Sequence, residues 1–194
     1  MPALITPTTE LEAVNECLAN IGQAPVSTIS GDLGVDTQIA LNFVRTVNRE
    51  LQSQGWFWNT EIDFPLTPNG NGDIVLPANT LSVDSTGDDA WRNVVQRGNI
   101  LYDRTNRTYT FATPINVELV LGLSFEELPE TARRYIALRA ARIFQDRVDD
   151  SVGQTDVTDE TMALNILKAE QLRNEDINVF SGSWSVINAL RRTV

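Results

Sequence analysis

The sequence predicts an α+β fold: a four-helix bundle built from both chain ends, with an antiparallel β-meander inserted between them. Three observations carry this. Apolar residues recur at three- and four-residue steps up to residue 55 and again after residue 126. Between those limits the period drops to two. Glycine, asparagine and proline punctuate the changes of period. The domain organisation expected is residues 1–55 with 126–180 as the helical bundle, 56–125 as the β domain, and 181–194 as a C-terminal arm.

The first helix is expected over residues 9–21. Thr9 and Glu12 have capping-box spacing, and Leu11, Val14, Leu18 and Ile21 make one stripe. Gly22 suits the left-handed residue after a helix, and Pro25 blocks continuation. A second helix is expected over 36–54, with Ala40, Phe43, Val44, Val47 and Leu51 inward and Gly55 as its stop.

Trp56, Phe57 and Trp58 follow at once. As the start of a strand they would point alternately, Trp56 and Trp58 one way and Phe57 the other. Such a trio serves either as a stacking platform for a ligand or as a packed corner between two kinds of structure. No convergent polar groups stand nearby in sequence, so the corner is favoured.

In the β region Asn69-Gly70-Asn71-Gly72 reads as a turn, and Ile74-Val75-Leu76 returns from it. Residues 85–89, STGDD, read as a loop. Val94-Val95 and Ile100-Leu101-Tyr102 flank an Arg97-Gly98-Asn99 turn. Thr105-Asn106-Arg107 turns again, and Val117, Leu119, Leu121 and Leu123 alternate with their neighbours.

The third helix is expected from Pro129 to about Val148, with Ala132, Ile136, Ala140, Ile143 and Phe144 as its main apolar face. An acidic loop follows over 149–157. The fourth helix is expected over 158–177, with Met162, Leu164, Leu167 and Leu172 near one side. Beyond a Ser181-Gly182-Ser183 hinge, the arm carries Trp184, Val186, Ile187 and Leu190 and ends in Arg191-Arg192. Four apolar residues on so short a segment make no core of their own, which points to a binding surface.

Composition narrows the chemistry. The formal net charge of −11 argues against a protein that grips nucleic-acid phosphate. The absence of histidine removes Ser-His-Asp and Cys-His catalysis and imidazole zinc sites. Cys17, the one cysteine, falls in the apolar pattern of the first helix and reads as a small buried hydrophobe. No apolar run approaches the ~18 residues of a membrane span. The opening MPALITPTTELEA has no basic or hydrophobic leader pattern, and no secretory signal is expected.

No catalytic, cofactor-binding or metal-binding residue is expected. GDLG and GNGD match no phosphate-binding pattern and read as turns. Asp149, Asp150, Asp156, Asp159 and Glu160 lack the spacing of a calcium loop and read as solvated acids. Glu126 and Glu127 could form a glycosidase-like carboxylate pair with Trp56 and Trp58 as a sugar platform. The plainer expectation is that they complement the macrodipole of the third helix. The arginines of that helix, Arg139 and Arg142 among them, spread around its circumference instead of forming one stripe. Ion pairs between helices or between copies of the chain explain that spread better than DNA contact.

Four segments carry a resemblance. ELEAVNECLANIGQAPVSTISGD (10–32), VNRELQSQGWFWNTE (47–61), RGNILYDR (97–104) and FEELPETARRYIALRAARIFQDR (125–147) resemble the tail tubular protein A family. These are the adaptor, or gatekeeper, ring proteins of short-tailed podoviruses. The resemblance implies a helical bundle combined with a β domain and no catalytic residues. It implies a virion protein assembled in the host cytoplasm, with about twelve copies in a ring between the portal and the tail nozzle. DNA would pass through that ring without specific binding. Within it, Trp184, Ile187, Leu190, Arg191, Arg192, Arg139 and Arg142 are the expected interface residues, and Trp56, Phe57 and Trp58 the structural corner.

Overall fold

The structure is a computed structural model. It describes residues 6–148 and 157–182, with 175–182 as backbone alone. Among the described residues four α-helices and five strands run in the order α1 (Glu10–Asn20), α2 (Val35–Gln52), β1 (Thr60–Leu66), β2 (Thr80–Ser85), β3 (Val94–Arg97), β4 (Ile100–Asp103), β5 (Ile115–Leu121), α3 (Glu130–Val148), α4 (Val157–Gly182). The α+β class predicted from the sequence is what the chain adopts. It divides into two compact units, Met1–Val47 with Pro129–Val194, and Asn48–Leu128, and the first division falls within α2.

In the helical unit α3 packs against both α1 and α4. Ten of its nineteen residues are buried, including Ala132, Ala137, Ala140 and Ala141, whose short side chains allow close helix approach. Helix α1 begins on the capping box expected: Thr9 Oγ1 accepts from Glu12 N–H, and the Glu12 carboxylate accepts from Thr9 N–H. It ends in a Schellman turn, with Gly22 at φ +72° and Gln23 N–H donating to the Leu18 carbonyl. Phe43 of α2 meets Phe144 of α3 edge to face at 6.1 Å, and the Arg147 guanidinium lies over the Phe43 ring.

Helix α4 departs from expectation. Ala163 and Leu167 face inward, but Met162 and Leu172 are exposed, as is Ile166. Leucine and methionine at helical spacing define two possible faces here, and the sequence pattern alone does not choose between them.

In the β unit, β5 is the central strand of a three-stranded antiparallel sheet ordered β1-β5-β2, and β3 and β4 form a separate hairpin. The order is not a meander, because the first two strands both pair with the last. Strand β5 holds the centre with Ile115, Val117 and Leu119 fully buried. Strand β1, at the edge, is exposed along most of its length, carries Pro65, and bulges at Asp63, where φ is +56°. These features discourage pairing with a further strand.

The turn at Asn69–Gly72 forms as expected, closed by Gly72 N–H to the Asn69 carbonyl at 2.9 Å. Its return segment does not pair with β1. Leu76 N–H donates to Asn99 O and Leu101 N–H to Ile74 O, so Ile74–Leu76 lies along β4. That placement buries Ile74 and Leu76 in the core with Leu101, Ile115 and Val117 and leaves Val75 outside.

Candidate functional site

The tryptophan segment is a turn. Strand β1 starts at Thr60, and Trp56–Asn59 bridges the end of α2 to it, so the strand alternation expected for Trp56, Phe57 and Trp58 does not apply. A helix end leaves carbonyls without intrahelical partners. Here side chains supply the donors. Trp56 Nε1–H donates to Leu51 O at 2.8 Å, and Asn59 Nδ2–H donates to Gln52 O at 2.9 Å and to Leu121 O at 2.9 Å. The Asn59 Oδ1 accepts from Trp56 N–H at 2.8 Å, closing the turn. Gly55, at φ +73°, lets the chain reverse between helix and turn.

The Gln52 amide forms the second half of the corner. Its Nε2–H donates to Leu123 O at 2.9 Å and its Oε1 accepts from Leu123 N–H at 2.7 Å. Gln52 and Asn59 are both buried; Asn59 pairs with backbone, and Gln52 pairs with backbone and donates to Asn48 Oδ1 at 2.7 Å. Neither was singled out from the sequence. An amide residue four positions past a helix-stopping glycine was the available signal.

Trp56 is 5 % exposed, and its ring stacks on Trp58 at 6.4 Å with planes 7° apart. A buried ring already covered by its neighbour offers no face to a sugar. Glu127, one of the two carboxylates of the glycan alternative, is also engaged. Glu127 accepts from Ser124 N–H and Oγ–H at 2.8 and 2.7 Å, which holds its carboxyl below the ordinary value, away from the raised pKa of a general acid. The acid that ties down the start of α3 is Glu130, which accepts from the Thr8 N–H and hydroxyl at 2.7 and 2.6 Å.

The arginines of α3 reach outward to other elements of the same chain. Arg139 Nη1 lies 3.0 Å from Glu160 Oε1 on α4, and Arg142 Nε pairs with Glu160 Oε2. Arg142 Nη1 also meets Asp146 at 3.2 Å. Arg134 Nη1 reaches Glu16 of α1 at 2.6 Å, and Arg133 Nη1 donates to the Thr8 carbonyl at 2.9 Å. The spread seen in the sequence thus has a cause: α3 has neighbours on several sides, and its arginines tie them. Burial opposes ionisation of Glu160, but the hydrogen bonds and charges of Arg142 and Arg139 outweigh it and hold the carboxyl below its ordinary value.

Cys17 is buried, and desolvation pushes its thiol up to about 12, which makes it unreactive at neutral pH. Among the described residues, no cluster of three or more His, Cys, Asp or Glu could hold a metal ion. No helix among them is long and apolar enough to cross a membrane. Asp149, Asp150 and Asp156 lie outside the described residues, as do Trp184, Ile187, Leu190, Arg191 and Arg192 of the arm.

Residues 11–177 match a family model described as tail tubular protein. The chain is also 34 % identical over 128 residues to tail tubular protein A of Klebsiella phage KP34, a match covering 66 % of this chain and 67 % of that relative.

Proposed function

The chain belongs to the tail tubular protein family, and on that premise we propose that it is the repeating subunit of the adaptor ring joining the phage portal to the tail nozzle. The observation that carries the proposal is the family match, which runs through both units. About twelve copies would close head to tail through heterologous contacts, which form a ring when the rotation per subunit closes. The ring would be a structural part of the virion with no catalytic role, and DNA would traverse its lumen during packaging and ejection. The charge supports passage without retention. At −11 per chain, the assembled body is strongly acidic, and an acidic wall repels the DNA backbone.

Residues 183–194 would dock on an adjacent copy or on the portal. Trp184, Ile187 and Leu190 would supply apolar contact, and Arg191 and Arg192 ion pairs with an acidic neighbour. Arg139 and Arg142, although paired with Glu160, remain 34 % and 27 % exposed and could contribute a further hydrogen bond at the subunit boundary.

Negative-stain imaging of the purified protein, alone and with portal rings, tests the proposal. Closed rings with a central hole, seated coaxially on the portal, are the expected result. Monomers that never engage the portal at any accessible concentration would overturn it. Removing residues 183–194 should leave the melting temperature near that of the full chain and weaken ring formation or portal attachment. A truncated chain that assembles and attaches normally would remove the arm from the proposal.

A further inference from the structure

The two sheets of the β unit share one core. Ile115, Val117 and Leu119 of β5 reach it from one side, and Val94 and Leu101 of the β3–β4 hairpin from the other. Side chains alternate along a strand, so each sheet also turns a face away from that core. The two outward faces differ in chemistry.

On the hairpin, Val95, Arg97, Ile100 and Tyr102 share the outward face. Val75, 53 % exposed, pairs beside Ile100, and the ring of Tyr109, 42 % exposed, meets Tyr102 at 4.8 Å. The Arg97 guanidinium lies over the Tyr102 ring at 3.6 Å. Arg104 and Arg107 are exposed in the loop that leaves β4, so arginines stand at both ends of the face. Acids offset them little. Asp103 is buried with its carboxylate taken by Asn106, and Asp73, beside Thr110, is one half-buried acid against three exposed arginines. Apolar, tyrosine and arginine side chains together are the composition of an interface centre.

On the β1-β5-β2 sheet the outward face is acidic. Asp84 of β2 stands directly opposite Glu118 of β5, and the bulge in β1 sets Ile62 and Asp63 together opposite Glu118 from the other side. All three acids are exposed, and among the described residues none pairs with a basic side chain. Arg92, whose carbonyl takes the Ser85 hydroxyl next to Asp84, is itself held by Asp89 at 3.0 Å. Like charges directly opposite each other destabilise a sheet, so this row is stabilised by whatever brings positive charge to it. Ile62, 56 % exposed, and Pro65 give the same face apolar ground along β1.

We propose that the outward face of the hairpin docks on the acidic sheet face of a second copy of this chain, with Arg97, Arg104 and Arg107 facing Asp63, Asp84 and Glu118. The two faces look away from a shared core, so each copy offers one and receives the other. That is a heterologous contact, the type that repeats around a ring or along a tube. Hairpin against hairpin would set arginine on arginine, and sheet against sheet acid on acid, which the charges oppose. Duplex DNA would take up the arginines but leave Val75, Ile100 and the tyrosines in water, so a protein surface is the better match. This inference rests on the multi-copy reading above and names the surfaces through which it operates.

The test uses the full-length chain and two charge reversals, Arg104→Glu with Arg107→Glu, and Asp84→Lys with Glu118→Lys. All four side chains are exposed, and the second reversal exchanges one like-charged pair for another, so both variants should melt close to the wild type. Sedimentation should show each variant assembling at a concentration raised roughly tenfold or more, because like charges now meet. Mixing the two variants should restore assembly, since every contact then sets acid against base. Glu118→Gln separates the face from the fold. It relieves the cross-strand repulsion, so the monomer should melt at or above the wild-type temperature while assembly weakens. If the wild type assembles and the reversals assemble equally well, the surfaces are wrong while the ring reading stands. If the wild type never assembles, alone or with portal rings, both fall. If Glu118→Gln lowers the melting temperature and leaves assembly intact, the acids serve their own chain and the inference is overturned. It is overturned too if, at physiological salt, a short DNA duplex binds the wild type and not the Arg104→Glu, Arg107→Glu variant, since the arginines then serve nucleic acid.

Discussion

Asn59 makes more hydrogen bonds at the corner than either tryptophan. Its side-chain amide joins three groups, two carbonyls as donor and the Trp56 N–H as acceptor, and its backbone N–H adds the Trp56 carbonyl. Asn59→Ala strands the buried Trp56 N–H and the Gln52 carbonyl and should cost about 2–3 kcal/mol, read as a loss in chemical denaturation. Trp56→Ala removes a buried ring and one carbonyl cap together and should cost about 3–5 kcal/mol. Trp58, half-buried and without a partner at its Nε1, should cost clearly less. Equal losses at the two tryptophans would mean that the stack, and not the cap, holds the turn. A glycine offers a separate check. A Cβ on Gly72 would meet Thr110 Cγ2 at 2.5 Å, at a φ of +84°. Gly72→Ala should therefore destabilise the β unit by about 1–3 kcal/mol, visible as a lowered denaturation midpoint.

At the level of elements, α4 is tied to α3 by Glu160 between Arg139 and Arg142, and by the Thr131 hydroxyl donating to Glu170. The ionised Glu160 is favoured in the folded protein, so its folded pKa lies below the ordinary 4.5. A depressed pKa gives stability that is present above the unfolded value and lost as pH falls through the folded one. The helical unit should therefore weaken below about pH 4.5, and Glu160→Gln should remove that part of the acid sensitivity. The measurement is the melting temperature between pH 3 and 7 for both proteins. Parallel curves would show that other carboxylates carry the acid response.

The legibility of the elements follows from how local their causes are. Thr9 with Glu12, and Gln23 with Leu18, are contacts within five residues, and both helix ends fall where the sequence places them. The β3–β4 hairpin turns at Gly98 for the same reason. Strand β2 was missed because Thr80–Ser85 carries four polar residues among six and pairs only with β5, more than thirty residues on. Ile74–Leu76 was legible as a returning segment but not its partner, since alternation fixes which side chains turn inward and says nothing about which strand receives them.

For the whole molecule, assembly and charge belong together. A subunit at −11 self-repels at low salt, so closure of the proposed ring would have to outweigh that repulsion through apolar contact and local ion pairs. Light scattering should give one species many times the mass of the chain, and linear DNA added at physiological salt should not comigrate with it. DNA that binds tightly would contradict an acidic lumen that lets the duplex slide.

What amino-acid order settles here is local or compositional. The capping box, the hairpin turns, the change of period, the missing histidine and the net charge need no knowledge of partners distant along the chain. The four segments resembling the tail tubular family lie in order along nearly the whole chain, so the family too was readable before any fold. Folding alone chose the rest. It placed β5 between β1 and β2, gave the α2 carbonyls to Trp56 and Asn59, set Glu160 between two arginines, and turned Leu167 inward while leaving Met162 and Ile166 outside. Each of these is a competition among groups of similar chemistry. Such competitions are decided by which pairing buries most apolar surface and strands fewest hydrogen-bonding groups, and that sum exists only over the packed chain.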